Sequence, residues 1–314
     1  MALENQIVAM RKSRQIAVFI AVTLVVITVW VCFSRSREPE FQGRSLSAWL
    51  KQLDDGDTDR GIEWSVWRPR QSSSQAQAAQ AIREIGTNSL PFLIKRMTRH
   101  ESPLKTKALD FLRKKQSWIK IPLSTNHYPR QAALAFDVLG PLAKPAVPAL
   151  SSILTNSQFS KEATIALAAI GPEGWTVLYD KLADTNASAN SWVKSCIIWG
   201  MAGHHVTQPG TTELIMIEVT NRNHSSGGIA GWALGELGTN QDQVIPVLIK
   251  GLQSPDLATR WGACNGLGKF GTNAIIAVPA LLQSLQDSNI SVKNHAREAL
   301  KLIDPEAARK AGVE

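Results

Sequence analysis

Few residues in this chain have the types and spacing that chemistry needs. His204 and His205 adjoin, and His224 follows nineteen residues after His205. Three imidazoles suit zinc, but no carboxylate or thiol stands at a consistent spacing to complete the shell, so they read as loop histidines. Cys32, Cys196 and Cys264 are too few and too scattered for a disulfide framework or a four-cysteine zinc site. Neither Cys196 nor Cys264 has a histidine at helical spacing to activate its thiol, and both read as small core residues. No Walker loop and no G-x-S-x-G elbow occurs. The expectation is a chain without catalytic, cofactor-binding or metal-ligating residues.

Ten tryptophans are more than 314 residues need. Trp199 takes the place of a core leucine, and Trp30 sits at the end of an apolar run where indoles favour a membrane interface. Trp175, Trp192, Trp232 and Trp261 fall near helix starts where the core pattern does not call for them. They are the candidate partner-binding residues, because surface aromatics anchor interfaces.

The elements that position these residues form a repeat. Aligned on a glycine, AQAAQAIREIG ends at Gly86, PRQAALAFDVLG at Gly140, KEATIALAAIG at Gly171 and KSCIIWGMAG at Gly203. GIAGWALGELG and WGACNGLGKFG follow at Gly238 and Gly271, and Asp304 stands in for the glycine of the last copy. After a first interval of 54 residues the spacings are 31, 32, 35, 33 and 33. Eight residues before the anchor every copy is small, and four before it stands a large apolar residue, as in Ala230 and Leu234 or Ala296 and Leu300. Offsets of 8, 5, 4 and 1 share one helix face, and glycine closes the helix because a left-handed residue is least strained without a Cβ. A second helix follows, with Pro91, Pro148, Pro246 or Pro279 expected near its first turn. Such a hairpin cannot bury its apolar face alone, so the copies stack. The fold class is all-α: a right-handed α-solenoid of about six to seven two-helix repeats.

Charge and hydropathy divide the chain. The formal charge is +8, from 34 basic and 26 acidic residues. Residues 1–37 carry +4, residues 95–120 carry +7, and everything from 121 onward has 14 basic against 15 acidic residues. No basic groove runs along the body, which opposes a nucleic-acid partner. Ile16 to Phe33 is an uncharged run of 18 residues bracketed by Arg14 and Arg35. It spans ~27 Å as a helix, enough for a hydrocarbon core. SRSREPE after Phe33 lacks the small residues of a cleavage site, so the run reads as an uncleaved single-pass anchor. The organisation expected is a short tail at 1–15, a transmembrane helix at 16–33, a juxtamembrane helix and flexible linker at 34–74, and the solenoid at 75–314. An extra basic helical segment at 101–127 holds Arg113, Lys114, Lys115 and Lys120, candidates for contact with anionic lipid or an acidic partner.

AVPALLQSLQDSN at 277–289 and KPAVPALSSIL at 144–154 carry a resemblance: they look like the HEAT-like repeats of the phycobilisome-lyase type. The likeness covers residues 75–314. GRSLSAWLKQL at 43–53 also resembles bacterial membrane-anchored HEAT-repeat proteins. The resemblance implies a basic residue eleven before each anchor, here present as Arg260 and Lys293. It also implies several His-Glu pairs for the di-iron hydroxylases of the group, and His100-Glu101 is a single pair. The function expected is a membrane-tethered, non-catalytic scaffold for an unknown protein or peptide, in a bacterial inner membrane with the solenoid outside the cytoplasm. The alternative is a lyase-like accessory enzyme acting on a protein or chromophore, and less so a nucleic-acid binder.

Overall fold

The computed structural model describes residues 38–54, 72–99, 127–155, 158–184, 191–221 and 226–313. The expected anchor Ile16 to Phe33, residues 55–71 of the stretch at 34–74 expected as juxtamembrane helix and linker, and the basic residues Arg113, Lys114, Lys115 and Lys120 lie outside the described residues.

A two-residue antiparallel ladder, β1 (Glu40–Phe41) with β2 (Arg44–Ser45), leads into α1 (Leu46–Asp54). The first repeat is α2 (Ser73–Ile85) with α3 (Leu90–Met97). Then follow α4 (His127–Leu139) with α5 (Val147–Leu154), α6 (Ser160–Ile170) with α7 (Pro172–Ala183), and α8 (Ser191–Gly203) with α9 (Thr211–Thr220). The last three pairs are α10 (Gly227–Leu237) with α11 (Gln241–Gly251), α12 (Leu257–Lys269) with α13 (Val278–Ser284), and α14 (Ile290–Ile303) with α15 (Pro305–Lys310).

The first helices of the pairs form one row, α4, α6, α8, α10, α12 and α14 each packing on the next, and the second helices α5, α7, α9 and α11 form a parallel row. This two-layer stack is an all-α solenoid. Its core lies between the rows, and the periodic residues fill it: Ala132, Ala135 and Phe136, then Ala163, Ala166 and Leu167, then Ala296, Ala299 and Leu300 are all buried. Some helix starts are capped by side chains that take up orphan N–H groups. Asp256 accepts from Thr259 N at 2.8 Å, Asn289 from Ser291 N at 2.8 Å, and Ser72 with Gln75 forms a capping box.

Three local features differ from the sequence reading. Gly203 does not close α8: it has ordinary helical backbone, and the left-handed residue is His205, at φ 50°. Val206 N–H reaches back to Met201 O and His205 N–H to Ala202 O, the paired bonds that end a helix around a left-handed residue. With His205 as the anchor, the intervals after Gly140 become 31, 34, 33, 33 and 33 residues, a more regular repeat. Pro246 is not at the first turn of α11 but inside it, because α11 starts at Gln241 behind a left-handed Asn240. The N–H it lacks is missed by the Asp242 carbonyl, on an exposed turn open to solvent. Third, α1 is packed into the first repeats, against α2 and α4, with Leu46, Trp49 and Leu50 fully buried.

The backbones of α10 and α12 approach closely. A Cβ built on Gly262 would lie 2.0 Å from Gly228 O, and one on Gly266 would lie 2.2 Å from Gly231 O. Beyond α12 the pattern changes sign. Positions 33 residues after Trp261, Cys264 and Gly268 are Asn294, Arg297 and Lys301, and Arg297 bonds Asn294 at 2.8 Å. Asn294, Arg297 and Lys301 form a polar stripe on α14, beside the exposed Ile290 and Leu302.

Tyr128–Leu154 is long and apolar enough to cross a membrane by composition. It is two helices of the stack, α4 and α5, joined by a 3₁₀ segment at Gly140–Ala146.

Candidate binding surface

The four candidate tryptophans have different environments. Trp192, in the first turn of α8, is 53% exposed. Trp175 is half-buried, and its indole N–H donates to Ala168 O at 2.8 Å. That carbonyl ends α6, and the residue four further on is Pro172, which has no N–H to offer it; the indole supplies the missing donor. Trp232 and Trp261 are half-buried against the core, and Trp261 meets the edge of the His295 ring at 5.2 Å. Trp192, Trp232 and Trp261 thus sit on the successive first-row helices α8, α10 and α12. Trp199, by contrast, is 2% exposed, with Lys161 Nζ 5.2 Å from its ring. Burial lowers the Lys161 pKa and raises that of the adjacent Glu162.

Charged side chains tie the rows together at recurring places. Lys194, at the start of α8, holds Glu218 near the end of α9 at 2.8 Å, both side chains under a tenth exposed. Ser226 donates its hydroxyl to the other Glu218 oxygen. Arg260, at the start of α12, grips Asp287 just beyond α13, Nε to Oδ2 at 2.7 Å and Nη2 to Oδ1 at 3.2 Å. The same guanidinium donates to Ser254 O and Pro255 O. Hydrogen bonds from Arg260, with the Asn289 N–H, hold the Asp287 carboxyl below the usual carboxylate range. Lys194 escapes a reading anchored on Gly203. Counted from His205 it stands eleven residues back, as Arg260 does from Gly271, so the missing signal was the true helix end.

A third polar group lies at the amino-terminal end. Arg96, on α3, is 7% exposed. Its Nη1 donates to Ser47 Oγ at 3.2 Å and its Nη2 to Gln131 Oε1, while Nε has no acceptor. Gln131 passes the chain of bonds to Asp54 Oδ2 at 3.1 Å, and Asp54 Oδ1 lies 3.1 Å from Arg130 Nε. The Tyr128 ring has the Arg96 guanidinium at 4.7 Å and that of Arg99 at 4.8 Å. Desolvation lowers the Arg96 pKa, and Arg99 adds to the effect. Neither the spacing nor the composition announces this cluster, because Ser47, Arg96 and Gln131 are far apart in the chain.

The cysteines are enclosed. Cys196 is 5% and Cys264 0% exposed, and burial pushes their thiols up to about 11 and about 12. Such thiols are protonated at neutral pH and poor nucleophiles. Among the described residues no group of three or more His, Cys, Asp or Glu side chains is placed to hold a metal ion. His204 Nδ1 lies 3.9 Å from Asp137 Oδ1, while His100, Glu101 and His224 lie outside the described residues. The string Gly266–Leu–Gly268–Lys–Phe–Gly271 spells G-x-G-x-x-G, but it belongs to α12 and its left-handed end, with no strand before it. A phosphate-binding fingerprint needs that strand. What the described surface offers is apolar, aromatic and cationic contact on a rigid stack.

Residues 222–301 match the family of HEAT repeats. No curated protein matches the sequence. Among solved structures, one engineered protein shares 19% identity over 85% of this chain and 82% of its own length, with a TM-score of 0.36. A second engineered protein shares 20% identity over 85% of this chain and 97% of its own, with a TM-score of 0.27. The chain is similar to HEAT repeats over residues 222–301, and a two-helix unit recurs from α2 to α15 among the described residues.

Proposed function

We propose that the chain is a membrane-tethered, non-catalytic scaffold whose right-handed HEAT-like stack, of the phycobilisome-lyase type, holds a protein or peptide partner. The observation that carries this reading is the placement of Trp192, Trp232 and Trp261 on three successive helices of one row. Each retains exposed or half-exposed aromatic surface on a scaffold whose spacing the repeat sets. Rigid aromatics on successive helices suit a long partner, because they contribute contact area at little entropic cost. The apolar run Ile16 to Phe33 supports the tether, and the proposed site of action is a bacterial inner membrane with the stack outside the cytoplasm.

A photo-crosslinking residue placed at 192, 232 or 261 in the full chain, in native membranes, tests the reading. One shared adduct at all three positions, absent when the probe stands at 310, is the expected outcome. Adducts with no common partner refute it. Alkaline carbonate extraction tests the tether, and release of the intact chain into the supernatant sinks that part.

A further inference from the structure

We propose that the stacked Arg96, Tyr128 and Arg99 side chains form a contact for the phosphate of an anionic lipid headgroup. The proposal rests on the membrane-tethered reading above. Its observation is that the point where the chain enters the structure and this cationic stack share one residue. The Ser47 backbone N–H donates to Glu38 Oε1, and the Ser47 hydroxyl accepts from Arg96 Nη1 at 3.2 Å. The entry is pinned further by Leu46 N–H to Pro39 O at 2.8 Å, and by Trp49, whose indole N–H donates to Phe41 O.

Four residues, 34 to 37, separate the end of the apolar run from Glu38. The five Cα steps from Phe33 to Glu38 reach at most about 17 Å when fully extended. On the membrane-tethered reading, the amino-terminal end of the stack is thereby kept within that reach of the bilayer surface.

The charge of the stack fits that neighbour. Arg96 is nine-tenths buried, yet among the described residues no carboxylate lies within ion-pair distance of it, and its Nε has no acceptor. Asp54 is already shared between Gln131 and Arg130. Arg99, which is exposed, brings a second positive charge to the same tyrosine ring. Two cations on one ring repel, and Arg99 adds to the burial that lowers the Arg96 pKa. An anion on the exposed Arg99 guanidinium offsets both charges. A bilayer surface provides anions at a depth that a free solute does not, and each basic residue near it contributes ~1 kcal/mol.

The test uses the full chain in nanodiscs of phosphatidylcholine, with and without phosphatidylglycerol, read by hydrogen exchange over 90–99 and 127–139. Phosphatidylglycerol is expected to slow exchange in both segments. Arg99→Gln should reduce that effect about fivefold, the equivalent of one basic residue at ~1 kcal/mol. Lys310→Gln, an equal charge change on the distant α15, should leave it intact. No slowing by phosphatidylglycerol overturns the proposal, as does an equal loss in Lys310→Gln, which means diffuse attraction only. Slowing by inorganic phosphate in phosphatidylcholine discs overturns the lipid assignment in favour of a small-anion site. Carbonate extraction separates the two failures: a chain that stays in the membrane yet ignores phosphatidylglycerol retains its tether and lacks this contact.

Discussion

Replacing Gly262 by alanine tests the packing argument most sharply, because helix propensity and tertiary contact predict opposite signs. Alanine in a helix interior is ordinarily worth about 1 kcal/mol over glycine. At Gly262 the added methyl would stand 2.0 Å from Gly228 O, 2.6 Å from its carbonyl carbon and 2.7 Å from its Cα. An ordinary C–H···O contact is about 3.3 Å, so α10 and α12 must separate by more than an ångström. The obstacle is backbone, which cannot swing aside as a side chain does. Opening the seam also lifts Gly231 and Gly235 from Gly262 and Gly266. A gap of that size forfeits a quarter to a half of each dispersion contact along it. Overpacking costs about 3 kcal/mol at the upper end of its usual range, and subtracting the propensity gain leaves about 2 kcal/mol of destabilisation. That corresponds to a fall in Tm of roughly 4–8 °C for an array of this size. Gly203→Ala is the control, since nothing lies within 4 Å of its added methyl, and it should change Tm little or raise it. Differential scanning calorimetry of the full chain, with hydrogen exchange over α10 and α12, gives the reading. A Gly262→Ala protein as stable as the parent, or more so, refutes the close-approach argument.

His205→Gly should stabilise the chain by about 1 kcal/mol, because it relieves a side chain held at φ 50°, and a raised urea midpoint checks this. Lys194→Met alone should cost about 3–5 kcal/mol, since it leaves Glu218 buried without its cation. The double change Lys194→Met with Glu218→Leu should recover much of the loss in the same denaturation assay, and failure to recover points to a role for Ser226 and Glu218 beyond the pair. Asp287 has a lowered pKa in the folded chain, so its contribution is complete above the ordinary aspartate value of ~3.9 and fades as pH falls through the lowered one. Asp287→Asn should therefore be less stable than the parent by about 1 kcal/mol at neutral pH. The gap should close in acid, and one that stays constant with pH refutes the charge-based account.

The sequence alone made the repeat legible, because burial on one helix face imposes a period that survives any change of residue within a class. Ala132, Ala163, Ala230, Ala263 and Ala296 are small for the same reason, and all are fully buried. Helix ends were legible only where the residue type carries the conformation. Glycine at 238 and 271 announces a left-handed residue, whereas His205 adopts the same conformation without announcing it. The error at Gly203 then hid Lys194 from the basic position eleven residues before the helix end. Ser47, Arg96 and Gln131 were invisible for another reason: each is an ordinary polar residue locally, and only the packing of α1, α3 and α4 brings them together.

Composition and spacing by themselves determined that the chain forms stacked helix pairs, since amphipathic periodicity is a local property read along the chain. Tertiary structure alone decided which charges are paired, which indoles are buried and which reach the surface, and how closely two helices approach. Those depend on distances between residues that no local pattern encodes.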